Sequence, residues 1–166
     1  MMQIYTMGVY GYTEETFRKA LEGIKLDIFV DTRRKRGVRG SQYAFANSQR
    51  LQAMLQGLGI PYVHRLDLAP TTEMIHEQDA ADHRAHIARH DRSSLTGAFR
   101  EAYQHEVMDD FDSRAFVDSL GYGVESLLIF CVEGNPNACH RSLLAERIRH
   151  DLGGTVTHLV ANDQVS

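Results

Sequence analysis

Cys131 and Cys139 are the only cysteines of the chain, and the stretch that holds them, CVEGNPNACHRS, runs on through His140, Arg141 and Ser142. Sulfur and imidazole this close together could bind a metal, close a disulfide, supply a nucleophile, or simply pack. Either Asn135-Pro136 or Asn137 can start a helix here, and both choices place Cys139 in its first turn. Free backbone N–H groups at such a helix start stabilise a thiolate and attract anions. Cys139 is then a candidate nucleophile and Arg141 a candidate clamp for phosphate or carboxylate. The competing reading is a small hydrophobe packed beneath the helix, since free cysteine is among the most buried residue types. Cys131 sits in an apolar run and reads mainly as core.

Phosphatase-type cysteine loops require the Cys at a strand end and an Arg a short fixed step beyond it, so that backbone N–H groups ring the anion. Arg141 is ten residues from Cys131 and two from Cys139, which contradicts that mechanism. A metal reading takes Cys131, Cys139 and His140 as ligands, completed by His64 or Glu133, but without a CxxC or HxxxH core. His83, His86 and His90 would share one face of a helix. With Arg84, Arg89, Asp91 and Arg92 among them, that face reads as solvated. MGVYGY has too few glycines for a dinucleotide fingerprint. No cofactor is expected, and a metal remains the weaker alternative.

Asp31 and Arg33 leave a strand end two residues apart, on one side if the strand continues. An Asp beside an Arg stays ionised and orients more readily than it donates a proton; the pair also fits a structural salt bridge. His64, at the end of another strand, offers an imidazole near neutral pH. Arg33, Arg34, Lys35, Arg36 and Arg39 place five cations within seven residues, although the chain as a whole has a net charge of −4. An acidic chain does not coat nucleic acid non-specifically, but this loop could contact phosphates, with Tyr43 or Phe45 free to stack on a base.

Elements of regular structure must bring these residues together. Ile4 to Met7 reads as a strand, and Thr13 caps a helix carrying Phe17, Ala20, Leu21 and Ile24. Leu26 to Asp31 is a second strand. After the basic loop, Asn47 caps a helix with Leu51, Met54, Leu55 and Leu58 in phase, and Tyr62 to Leu66 makes a third strand. Residues 70–120 read as a helical insertion, with helices near 72–90 and 95–119. Leu127 to Val132 has the continuous apolar character of a central strand buried on both faces. A helix through Leu144, Ile148 and Leu152 and a strand from Val156 to Val160 complete the series. The alternation predicts a single α/β domain over residues 1–166, a three-layer arrangement with about five mostly parallel strands and helices on both faces. Ligands bind beyond the carboxyl ends of such strands, which selects Gly8, Asp31 to Arg33, His64 and the segment from Glu133 to Arg141.

The motifs TMG, VDTR, GIPYVHRLDLAPT and CVEGNPNACHRSLLAERI resemble, in order and spacing, the domain of unknown function 488 family of bacteria and archaea, over essentially the whole chain. The resemblance implies a single α/β domain and no particular activity. The family pattern falls on Asp31, Arg33, the Tyr62-x-His64 strand, Cys131, Glu133, Cys139, His140, Arg141 and Ser142. Where many members carry a His after the Gly of the first strand, this chain has Val9, and Leu68-Ala69-Pro70-Thr71 marks a branch of the family.

The expectation is an enzyme or enzyme-like pocket for a phosphate-bearing small molecule or nucleotide, hydrolase or transferase in class. Cys139, His140, His64, Glu133 and Asp31 are its candidate catalytic residues, and Arg33, Arg141, Ser142, Tyr62 and Gly8 its candidate binding residues. A nucleic-acid-binding or repair-associated module using loop 33–39 is the alternative. With 43% hydrophobic residues, no membrane-length apolar run and two cysteines, the chain is expected in the reducing cytoplasm, where a homodimer is compatible with it.

Overall fold

A computed structural model describes residues 1–161. Five strands, β1 (Gln3–Met7), β2 (Ile28–Asp31), β3 (Tyr62–His64), β4 (Ser126–Phe130) and β5 (Thr155–Leu159), form one sheet in the order β3-β2-β4-β1-β5. Every pairing is parallel. The central strand is the continuous apolar run anticipated for it. Alternation along β4 sends Leu127 and Ile129 into one hydrophobic cluster and Leu128 and Phe130 into another on the opposite face. Helices α1 (Glu14–Glu22) and α2 (Ser48–Gly57) supply Phe17, Leu21, Leu51 and Leu55 to the second cluster. The first is built against α3 (Thr72–Arg84), α4 (Gly97–Tyr103), α5 (Ser113–Leu120) and α6 (His140–Leu152).

Local sequence explains most boundaries. Thr13 caps α1 in a reciprocal box with Thr16, while Thr71, Thr96 and Asp112 cap α3, α4 and α5 through their side chains. The expected helix over 95–119 is two. Between them lie a π-helical turn, Gln104–Met108, and a reset at Asp112. Asn47 stands at the start of α2, but its side chain accepts from the Val38 N–H of the preceding loop at 2.8 Å instead of capping the helix.

Parallel pairing aligns the carboxyl ends. Met7 lies opposite Phe130 and Leu159, and Asp31 opposite Phe130 and His64. Gly8, Thr32, Arg65 and Cys131 therefore leave the sheet along one edge. Among the described residues no helix is long and apolar enough to cross a membrane.

Candidate functional site

Two neighbouring structures occupy that edge. The first is a buried polar knot. Asp31, fully buried, accepts from the Arg33 Nε at 2.9 Å and Nη2 at 2.9 Å, from the Arg33 backbone N–H at 3.1 Å, and from the Tyr62 hydroxyl at 2.6 Å. The Arg33 Nη1 donates to the Ala46 carbonyl at 2.8 Å, and its guanidinium lies over the Phe130 ring. His64 holds the same turn through a 2.8 Å contact from Nε2 to the Arg33 carbonyl, which fixes that nitrogen as the donor. These bonds close the turn after β2 and fill the carboxylate's acceptor positions.

The second is the segment after β4. Asn135 caps a single 3-10 turn, Pro136–Ala138. Cys139 then returns to extended backbone (φ −142°, ψ 146°) and is itself the residue before α6. It therefore stands ahead of the helix, a correction to its expected place in the first turn. The sequence also favours an anion-facing corner of reduced thiols over a sulfur pair, and the fold corrects this too. The Sγ atoms of Cys131 and Cys139 are in direct contact, joined as a disulfide, with Cα atoms 7.3 Å apart. The two cysteines are each 1% exposed.

His140 Nδ1 lies 3.6 Å from Cys139 Sγ. Its Nε2 lies 2.9 Å from the Thr32 hydroxyl and 3.2 Å from the Thr32 carbonyl. A carbonyl only accepts, so Nε2 carries the proton and the Nδ1 lone pair faces the sulfurs. Burial lowers the imidazole pKa to about 4, with nearby Glu133 opposing the shift. His140 is thus a neutral ligand or acceptor and a weak base toward a thiol. The ligand atoms of Cys131, Cys139 and His140 all lie within 4.8 Å of one another.

Arg141 is wholly buried, and burial lowers its pKa to about 10. It donates to the Glu133 and Gly134 carbonyls and approaches Cys131 Sγ at 3.4 Å, so it pins the loop after β4 from within. Gly8 makes this possible, because a Cβ there would overlap the Glu133 carbonyl. The Ser142 hydroxyl donates to the Cys139 carbonyl at 3.1 Å.

Above these residues opens a cavity of about 540 Å³. Cys131, Glu133, Cys139, His140 and Arg33 line it, whereas Asp31, Tyr62, His64, Gly8, Arg141 and Ser142 stand behind it as scaffold. The remaining wall comes from the helical insertion, whose face around His83, His86 and His90 the sequence reads as solvated. Arg92, 7% exposed, donates to Asp82 at 2.7 Å, to Glu133 at 3.0 Å and to Asp79 at 3.1 Å, and Arg89 donates to the same Glu133 oxygen at 3.0 Å. The only hint in the sequence is the spacing of Asp79 and Asp82, which point one helix face toward a cation. His83, His86 and His90 do not share a helix face. The helix ends at Arg84, His86 has φ 57°, and all three are exposed. Phe45 is core and cannot stack on a base, while Tyr43 is half-buried with its ring centroid 5.1 Å from that of Tyr10 at the cavity wall.

In a comparison with protein families, the family described as "Domain of unknown function DUF488" matches residues 13–148. The chain belongs to the DUF488 family. No curated protein and no solved structure matches it. Both halves of the site fall inside the family's span, from the Asp31–Arg33 turn to Cys131, Cys139 and His140. The description of DUF488 assigns no activity.

Proposed function

We propose that the cavity binds a phosphate-bearing small molecule, a nucleotide or a nucleic-acid component, as the pocket of a hydrolase or transferase. One observation carries the reading. Among the described residues, Arg33, Arg34, Lys35, Arg39, Arg89 and Arg92 line the cavity against only Asp79 and Glu133, in a chain whose net charge is −4. Positive charge concentrated in a concave, low-dielectric cleft raises the local concentration of anions.

The cations divide by task. Arg33, Arg89 and Arg92 are held by carboxylates, and Arg34 donates to the Pro70 carbonyl at 2.9 Å. Lys35 and Arg39 are exposed at the rim and are the residues assigned to first contact with the anion. Tyr10, which lines the cavity and is met edge to face by Tyr43, offers a ring surface to a base or other flat group. Glu133, fixed by two arginines, orients groups at the cavity floor. The Cys139 sulfur can act as a nucleophile only when its bond to Cys131 is open.

In the basic loop, Arg33, Arg34 and Arg36 are already bonded within the protein. That leaves too few free cations to track a polynucleotide backbone and favours a small ligand over the nucleic-acid module. The test is thermal denaturation with millimolar inorganic phosphate, pyrophosphate and ADP. A ligand at 100 times its Kd raises stability by about 2.7 kcal/mol, and Lys35→Glu with Arg39→Glu should remove the upward shift in Tm. No shift for the wild type with any of the three, or the same shift for the double variant, overturns the reading. Tighter binding of a single-stranded oligonucleotide than of ADP, with a steep salt dependence, replaces it with the nucleic-acid module.

A further inference from the structure

We propose that Cys131, Cys139 and His140, with the sulfur pair reduced, form a binding site for one zinc-type divalent ion at the floor of the cavity. The inference does not depend on anion binding, because it rests on the donors alone. Two sulfurs and an imidazole nitrogen, all buried, converge within 4.8 Å. Thiolate and imidazole are the donors that zinc takes in tetrahedral sites.

Two further observations point the same way. The tautomer of His140 is already that of a ligand. Thr32 takes the Nε2 proton through its carbonyl and hydroxyl, and the hydroxyl in turn donates to the Phe130 carbonyl at 3.0 Å. Metal-binding histidines are commonly held in this way through the nitrogen that does not bind the metal. The Cα atoms of the two cysteines, 7.3 Å apart, are also farther apart than the roughly 4.4–6.8 Å that disulfides usually span. Sulfurs carried at that spacing can turn toward a shared centre.

All three donors line the cavity. The fourth tetrahedral position therefore opens on it, beside the Glu133 Oε2, which lies 3.6 Å from Cys131 Sγ. An open fourth position distinguishes reactive zinc sites from closed structural ones. The balance is simple. A dithiol reductant opens the Cys131–Cys139 bond, passing two electrons and two protons to the sulfurs and itself closing to a cyclic disulfide; a phosphine gives the same pair of thiols, becoming its oxide with the oxygen and the two protons supplied by water. Binding of the divalent ion then releases those two protons.

The experiment uses the full chain without a histidine tag, reduced with tris(carboxyethyl)phosphine or dithiothreitol, dialysed against zinc or cobalt and freed of excess ion. One equivalent of metal is expected. Cobalt should show intense thiolate-to-metal charge transfer, and both thiols should resist alkylation until a chelator is added. Cys139→Ser should retain less than a tenth of an equivalent. Thr32→Val, which removes the hydroxyl that orients His140, should weaken zinc binding about 10- to 100-fold. Less than a tenth of an equivalent on the reduced wild type overturns the site, as does metal binding that leaves both thiols open to alkylation. The thiol measurement needs only the wild type, so it decides the question even if a variant fails to fold.

Discussion

At the scale of single residues, the edge of the sheet is built from groups that bond each other before any ligand arrives. Asp31 takes four donors from Arg33 and Tyr62. Removing one partner of a buried ion pair leaves the other uncompensated, at a cost of about 3–5 kcal/mol. Asp31→Asn should lower stability by that amount in urea unfolding, whereas a surface-type loss below about 1 kcal/mol would show that the knot is not sustaining the turn. Gly8 makes the complementary case for space. Its neighbour, the Glu133 carbonyl, is backbone held by Arg141 and cannot yield easily. Gly8→Ala should destabilise by about 3 kcal/mol, the upper end of overpacking costs, and an unchanged denaturation midpoint would refute the close approach.

At the scale of elements, the opposite end of the sheet has its own clamp. Asp27, just before β2, accepts from the Glu125 N–H at 2.9 Å and the Ser126 N–H at 3.0 Å, at the start of β4. The Glu125 bond is the leading cause of its lowered pKa, with burial opposing. The carboxylate's stabilising effect is therefore full above the unfolded value of about 3.9 and is lost as pH falls through the lower folded value. Asp27→Ala should cost about 1.5–3 kcal/mol at neutral pH, the range for hydrogen bonds to a charged group. The difference from wild type should shrink below pH 4, and a difference independent of pH would contradict the assignment. The strands and the first two helices were legible in the sequence because their signals are local: an apolar run for β4, a Thr cap for α1, and Leu51, Met54 and Leu55 in phase for α2. The break at Asp109–Asp112 was not, because it depends on how α4 and α5 pack on the sheet. Nor was the extended conformation of Cys139, where the chain must reverse between the 3-10 turn and α6.

At the scale of the whole molecule, the site residues named from the sequence did come to one edge, since strand order and direction alone bring them there. What could not be read was which of them would face outward. Arg33 and Arg141 are long cations whose composition suggests a ligand clamp, yet the fold uses them on backbone carbonyls and a buried carboxylate. The pairing of Arg92 with carboxylates up to 41 residues away has no sequence signature. Arg92 also ties the insertion to the sheet through Glu133. Arg92→Ala leaves Asp82 without that partner, and breaking such a buried pair should cost about 3–5 kcal/mol. It should also expose the segment around Arg84 and Arg89 to trypsin. Wild-type proteolysis rates would show that the insertion is held by its apolar contacts alone.

The sheet order has a consequence for how the chain assembles during synthesis. β1 is the first of these five strands to be made, yet its two neighbours in the sheet are β4 and β5, which begin at Ser126 and Thr155. On the other side β2 can pair with β3 early, leaving a slot into which β4 must fit between two waiting strands. More than a hundred residues must therefore emerge before the middle of the sheet can close. The cavity floor completes with it, because Cys131, Cys139 and His140 all follow β4. A nascent chain stopped short of Ser126 would thus leave both edges of β1 and one edge of β2 unpaired and would lack the cavity floor, so the last quarter of the sequence completes the sheet and the cavity together.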